Sequence, residues 1–128
     1  MADKAAQVLI IEDERPIAML LATIVRQMGH EAVTAADGAA GLAEAQKCKP
    51  DLVLLDMILP IMSGWEFLRA VATDQELKSV PVVLVSTVER VDQELQDRYP
   101  LIGKPFTPET VRREVAAALG GPCTGTVA

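Results

Sequence analysis

Five residues of this 128-residue chain stand where chemistry is possible, and each closes an aliphatic run. The run QVLII ends on Glu12 and Asp13, DLVLLD on Asp56, VPVVLVS on Ser86, and LIGK on Lys104. The sharpest case is VLLDMILP, from Val53 to Pro60, where one bare carboxylate interrupts an apolar stretch. An unpaired charge buried away from water is costly or is forced to neutralise, so Asp56 must surface at the end of its strand or be held by something nearby. Taken singly, an ED pair after a strand is a solvated loop and a Lys-Pro pair is a turn. Brought to one edge of a sheet, three carboxylates, a hydroxyl and an ammonium make a cleft that calls for a counter-charge. Oxygen-only ligands in an open, hydrated site suit Mg²⁺ rather than zinc, which would want His or Cys. His30, the one histidine, precedes the second strand and reads as a solvated loop residue rather than a ligand.

The elements that must position these groups follow a regular order. QVLII reads as a buried strand, and from Pro16 the residues Ile17, Leu20, Leu21, Ile24 and Met28 keep helical spacing until Gly29. Pro16 suits a first helical turn, where its missing N–H costs nothing. EAVTAA reads as a second strand, and Asp37 as the cap of a helix with Leu42 and Ala45 facing inward. DLVLLD is apolar almost throughout and reads as a central strand; Ser63 and Glu66 then form an S-x-x-E capping box before Phe67, Leu68 and Val71. After VPVVLVS a charged helix is expected from about Val88, burying Val91 and Leu95. LIGK is a short fifth strand, and Thr107-Pro108 opens a last helix with Val111, Val115 and Leu119 on one face. Five strands alternating with five helices, each strand buried on both faces, predict a doubly wound α/β domain with a parallel sheet. Such sheets bind ligands beyond the carboxyl ends of their strands.

Composition narrows the function. Half the residues are hydrophobic but only one Trp, one Tyr and two Phe are present, so the core must be aliphatic. Twelve basic against eighteen acidic residues leave a formal charge of −6, which argues against direct binding to nucleic acid or to an anionic membrane. Cys48 and Cys123 have no metal-ligand or disulfide spacing and read as reduced thiols. With no signal-peptide pattern and no apolar run of membrane-spanning length, a soluble, cytoplasmic domain is expected.

The segments LIIEDE, LVLLDMILPIMSGWEFL, PVVLVST and LIGKPFTPE resemble, in order and spacing, the signature segments of response regulator receiver domains of two-component systems. The resemblance spans residues 7–119, leaving 120–128 as an expected flexible tail. It implies a flavodoxin-like fold and a phosphoryl-accepting switch. In that scheme Asp56 takes a phosphoryl group from a histidine kinase or histidine phosphotransfer protein. Asp13, Glu12, Asp56 and the backbone carbonyl of Ile58 hold Mg²⁺; Lys104 and Ser86 contact the phosphoryl group; and the Lys104–Pro105 peptide is cis. Output would pass to a protein target, or to a homodimer partner, through the face made by the fourth helix, fifth strand and fifth helix.

Departures from the family pattern are visible too. Leu101 stands where the family has an aromatic switch residue, and Tyr99 falls two residues earlier. The interval from Ser86 to Lys104 is shorter than usual, which predicts a remodelled fourth helix. Thr87 offers an alternative hydroxyl. Ile58 and Val88 flank the acceptor with side chains unable to orient a hydrolytic water, which predicts slow loss of the phosphoryl group. The competing function is a receiver-like adaptor that binds partners without phosphorylation. A D-x-D phosphatase is disfavoured because Ile58 occupies the second acid's place, and a nucleotide or flavin site because EDERP is the opposite of a Gly-rich loop. A free single-domain regulator, a phosphorelay shuttle and a fragment of a longer protein all suit a chain that closes soon after its last helix.

Overall fold

Alternating apolar residues in short β-branched strands place side chains on both faces of one sheet, and amphipathic helices cover each face. The computed structural model describes residues 5–120; the expected tail, with Cys123, lies outside them but for Gly120. The order is β1 (Gln7–Ile11), α1 (Arg15–Gln27), β2 (Glu31–Ala35), α2 (Gly38–Cys48), β3 (Leu52–Leu55), α3 (Gly64–Ala72), β4 (Val82–Ser86), a 3₁₀ turn (Val88–Arg90), α4 (Gln93–Arg98), β5 (Leu101–Gly103) and α5 (Pro108–Ala118). All pairings are parallel and the sheet order is β2-β1-β3-β4-β5. The strand before Glu12 and Asp13 and the strand before Asp56 are thus neighbours, with Ile11 opposite Leu55. Among the described residues, no helix is long and apolar enough to cross a membrane.

Two aliphatic cores result. Val8, Ile10, Leu52, Leu54, Val83 and Val85 point toward α1 and α5, while Leu9, Ile11, Val53, Leu55 and Leu84 point toward α2 and α3. Local signals hold the helices where the sequence predicts them. The Ser63 hydroxyl accepts from Glu66 N–H at 3.2 Å while Glu66 Oε1 accepts from Ser63 N–H at 2.9 Å, a complete capping box. Asp37 caps α2 through Ala40 N–H at 2.7 Å, and Thr107 caps α5 through Thr110 N–H at 3.1 Å. Gly29, at φ 91°, ends α1 with His30 N–H on Val25 O and its own N–H on Arg26 O, the left-handed stop that glycine permits.

Four expectations need correction. Leu20 is 44% exposed, because the buried stripe of α1 runs through Ala18, Leu21, Ala22, Ile24 and Val25 and leaves Leu20 to one side. β2 is only half-buried, since it is an edge strand. His30 is not simply solvated: its Nδ1 accepts Ala6 N–H at 3.0 Å and ties the residue before β1 to the turn before β2. The helix expected to run on from Val88 is interrupted, which is the remodelling that the short interval from Ser86 to Lys104 predicts. A 3₁₀ turn ends at buried Val91, and Asp92, with extended backbone, caps the six-residue α4 by accepting Leu95 N–H at 3.0 Å. The Asp92 side chain competes for the backbone amides there and restarts the helix instead of continuing it.

Candidate functional site

The C-terminal ends of β1, β3, β4 and β5 bring the five singled-out residues together. Glu12 N–H donates to Ala35 O, and Asp56 N–H donates to Ile11 O, so both acids leave the sheet while still held by its ladder. Glu12 is 2% exposed and Asp56 6% exposed, whereas Asp13 faces solvent. Carboxylate oxygens of Glu12, Asp13 and Asp56 lie within 4.8 Å of one another. Lys104 reaches across from the end of β5, with Nζ at 2.8 Å from Glu12 Oε1 and 3.4 Å from Asp56 Oδ2. The Lys104 N–H donates to Ser86 O at 2.9 Å, which sets the lysine beside buried Ser86. The Lys104–Pro105 peptide is cis.

The charges are unbalanced. One ammonium faces three carboxylates. Burial pushes Glu12 up to about 7 against the Lys104 hydrogen bond, and the Asp56 charge adds to the push. Burial works against the charge of Lys104, but the hydrogen bond it donates to Glu12 and the charge of Asp56 outweigh it and hold its pKa above the usual lysine value. A hard cation with oxygen ligands fits this surplus of negative charge.

The loop after β3 supplies the remaining atoms. Ile58 N–H donates to Asp56 Oδ1 at 3.4 Å and orients the carboxylate. The loop closes on itself through Gly64 N–H to Met57 O at 2.9 Å. Ile58 and Val88 are about half exposed beside the cleft, and Val88 lies over Gly103. Thr87 is half-buried at the start of the 3₁₀ turn, one step beyond Ser86. Leu101 is half-buried, paired with Leu84, and packs with Tyr99 against the core on the α3 side.

The sequence pattern of the family described as Response regulator receiver domain matches residues 8–116. The chain belongs to that family. It is 30% identical to the protein PilH of Pseudomonas aeruginosa over 91% of this chain and 99% of that one. It is 33% identical to the alkaline phosphatase synthesis transcriptional regulatory protein PhoP of Bacillus subtilis, over 88% of this chain and 48% of that one. The chemotaxis response regulator CheY4 of Vibrio cholerae superposes with a TM-score of 0.82 at 32% identity, over 91% of this receiver domain and all of that chain. The flavodoxin-like receiver architecture expected from the sequence is therefore the one observed.

Three contributors to the site of this receiver domain were missed in the sequence. Glu14 N–H donates to Glu12 Oε2 at 3.2 Å, a turn contact that no residue type announces. Gly64 lets α3 start against the chain just beyond β3: a Cβ there would lie 2.6 Å from Met57 Cα and 2.8 Å from Asp56 O. A glycine inside a capping box, where most residues serve, was the available signal. Ile61 holds φ 69°, rare for a β-branched residue, and no sequence rule points to it.

Proposed function

We propose that this receiver domain is a phosphorylation-controlled protein switch whose acceptor is Asp56. The observation that carries the proposal is the gathering of Glu12, Asp13 and Asp56 within 4.8 Å, bridged by Lys104. An Asp56 carboxylate oxygen attacks the phosphorus of a phosphohistidine on a histidine kinase or histidine phosphotransfer protein. The P–N bond breaks, its electron pair returns to the imidazole, which takes up a proton, and an acyl phosphate forms on Asp56. Such a transfer needs positioning and charge neutralisation more than covalent help.

The chain's own groups divide that work. Ile58 N–H orients the acceptor, Lys104 turns from Glu12 and Asp56 to an incoming phosphoryl oxygen, and the Ser86 hydroxyl, with Thr87 as its alternative, hydrogen-bonds another. Glu12, Asp13, Asp56 and the Ile58 carbonyl would hold Mg²⁺, which when bound supplies the positive charge that the phosphoryl oxygens require. Movement of Ser86 toward the phosphoryl group would pull on the 3₁₀ turn and α4, passing over Leu101 at the start of β5 and Pro105 just beyond its end. The readout is a changed protein contact on the face of α4, β5 and α5, made in the cytoplasm with a downstream protein or a second copy, without direct contact to nucleic acid or membrane. Apolar Ile58 and Val88 beside the acceptor support slow loss of the phosphoryl group.

Intact mass after incubation with acetyl phosphate tests this function. A single Mg²⁺-dependent phosphoryl adduct is expected on the wild type and none on Asp56→Asn. No adduct on the wild type, and no complex with beryllofluoride, would leave the unphosphorylated adaptor as the function.

A further inference from the structure

Resting on the function just proposed, we propose that Gly38, at the start of α2, is a positioning residue for the loop that carries the Ile58 carbonyl. An ideal Cβ at Gly38 would fall on the Met62 carbonyl oxygen, 2.7 Å from its carbonyl carbon and 2.8 Å from Met62 Cβ. Two of those three atoms are backbone, so no side-chain rotation relieves the clash. Gly38 is buried, and the start of α2 thus presses directly on the far side of the loop running from Met57 to Gly64.

That loop has little slack. Its base is closed by Gly64 N–H on Met57 O at 2.9 Å, and Gly64 is itself wedged against Met57 and Asp56 backbone. Its tip is a tight turn, with Met62 N–H on Pro60 O at 2.7 Å around Ile61 at φ 69°. A β-branched residue in the left-handed region sits in a narrow well and cannot absorb a further displacement. A push on Met62 is therefore passed to residues 58–60, between the closed base and the strained tip. Ile58 lies there, with its N–H on Asp56 Oδ1 and its carbonyl the metal ligand proposed above. The missing Cβ of Gly38 lets α2 buttress this loop from behind without pushing it. A Cβ there would push the loop and shift the Ile58 carbonyl, and disturbing what holds a metal ligand in place costs about 10–100-fold in affinity.

Calorimetric titration with MgCl₂ tests the proposal on wild type, Gly38→Ala and Gly41→Ala. Gly41 lies on the same helix, but a Cβ there meets the Ile11 side chain in the core rather than the loop. Gly38→Ala is expected to weaken Mg²⁺ binding at least about tenfold. Its acetyl phosphate reaction should slow at low Mg²⁺ and recover to near the wild-type rate at saturating Mg²⁺. Gly41→Ala should melt earlier yet keep wild-type affinity, and Ile61→Gly added to Gly38→Ala should restore part of the loss by letting the tip yield. Wild-type affinity in folded Gly38→Ala, or an equal loss in Gly41→Ala, would overturn the proposal. If Gly38→Ala does not fold, the Gly38 and Met62 amide resonances of the wild type decide: both shift on adding MgCl₂ if the buttress is coupled to the metal, and neither shifts if it is not. A wild type that binds no Mg²⁺ would bring down the function itself, an outcome distinct from any of these.

Discussion

Glu12 is a residue whose charge depends on conditions near neutrality. Its pKa, raised by burial to about 7, means that the folded, metal-free protein keeps a proton that the unfolded chain releases above the ordinary value of 4.5. The stabilisation linked to that proton is complete below about 4.5 and is lost as the pH rises through about 7. Urea midpoints of wild type and Glu12→Gln, compared from pH 4 to pH 8, should therefore diverge toward high pH, with the wild type falling relative to the variant. The Mg²⁺ site proposed above would take Glu12 ionised, so binding should release a proton near neutrality. Affinity is expected to fall as the pH drops below about 7, approaching tenfold per unit, and to flatten in Glu12→Gln. Calorimetry in buffers of different ionisation enthalpy would detect the proton directly.

Among the elements, the loop after β3 and the helix α4 are the least settled, for opposite reasons. The loop is tightly closed but carries Ile61 at φ 69° with 81% of its surface exposed, so the side chain gains little burial in return for a left-handed backbone. Ile61→Gly should raise stability by about 1 kcal/mol, read as a higher urea midpoint at unchanged m-value. Helix α4 has six residues and none is buried; its first turn depends on Asp92. Its amides should exchange with deuterium faster than those of α1, α3 and α5. Asp92→Ala should raise that exchange further while leaving the acetyl phosphate reaction of Asp56 unchanged, because the cap lies outside the acidic cleft. A lightly held α4 next to Ser86 and Thr87 is an element that phosphorylation could reposition at small cost.

At the scale of the molecule, one sheet serves two cores, and adjacent residues of β3 belong to different ones. Leu54 packs toward α1 and α5, Leu55 toward α2 and α3, and both are essentially fully buried. Leu54→Ala and Leu55→Ala should each cost about 2–5 kcal/mol, a large share of the stability of a small domain. Because the strand carries both, each variant is expected to unfold in a single transition, with Trp65 fluorescence and far-UV circular dichroism tracing the same curve. Two separated transitions would mean that the two faces fold independently.

By itself the sequence determined the strands, the fold class and the candidate site. Aliphatic alternation, capping residues and Pro or Gly stops are local signals, and a parallel sheet converts strand ends into neighbours, so Glu12, Asp13, Asp56, Ser86 and Lys104 could be assembled on paper. The capping box at Ser63 and Glu66 was legible for the same reason, since both partners lie within one helical turn. Only the tertiary structure decided the rest. Leu20 carried the right spacing but fell outside the buried stripe, a rotation set by how α1 lies on the sheet. β2 became half-buried because strand order made it an edge. The break before α4 came from Asp92 competing locally with a helix that rests on the core only through half-buried Leu95. The close approach of Gly38 to Met62 joins residues 24 apart in sequence, and the Glu12–Lys104 pair residues 92 apart. Contacts of that range depend on how whole elements pack, and no pattern along the chain encodes the distance between two surfaces.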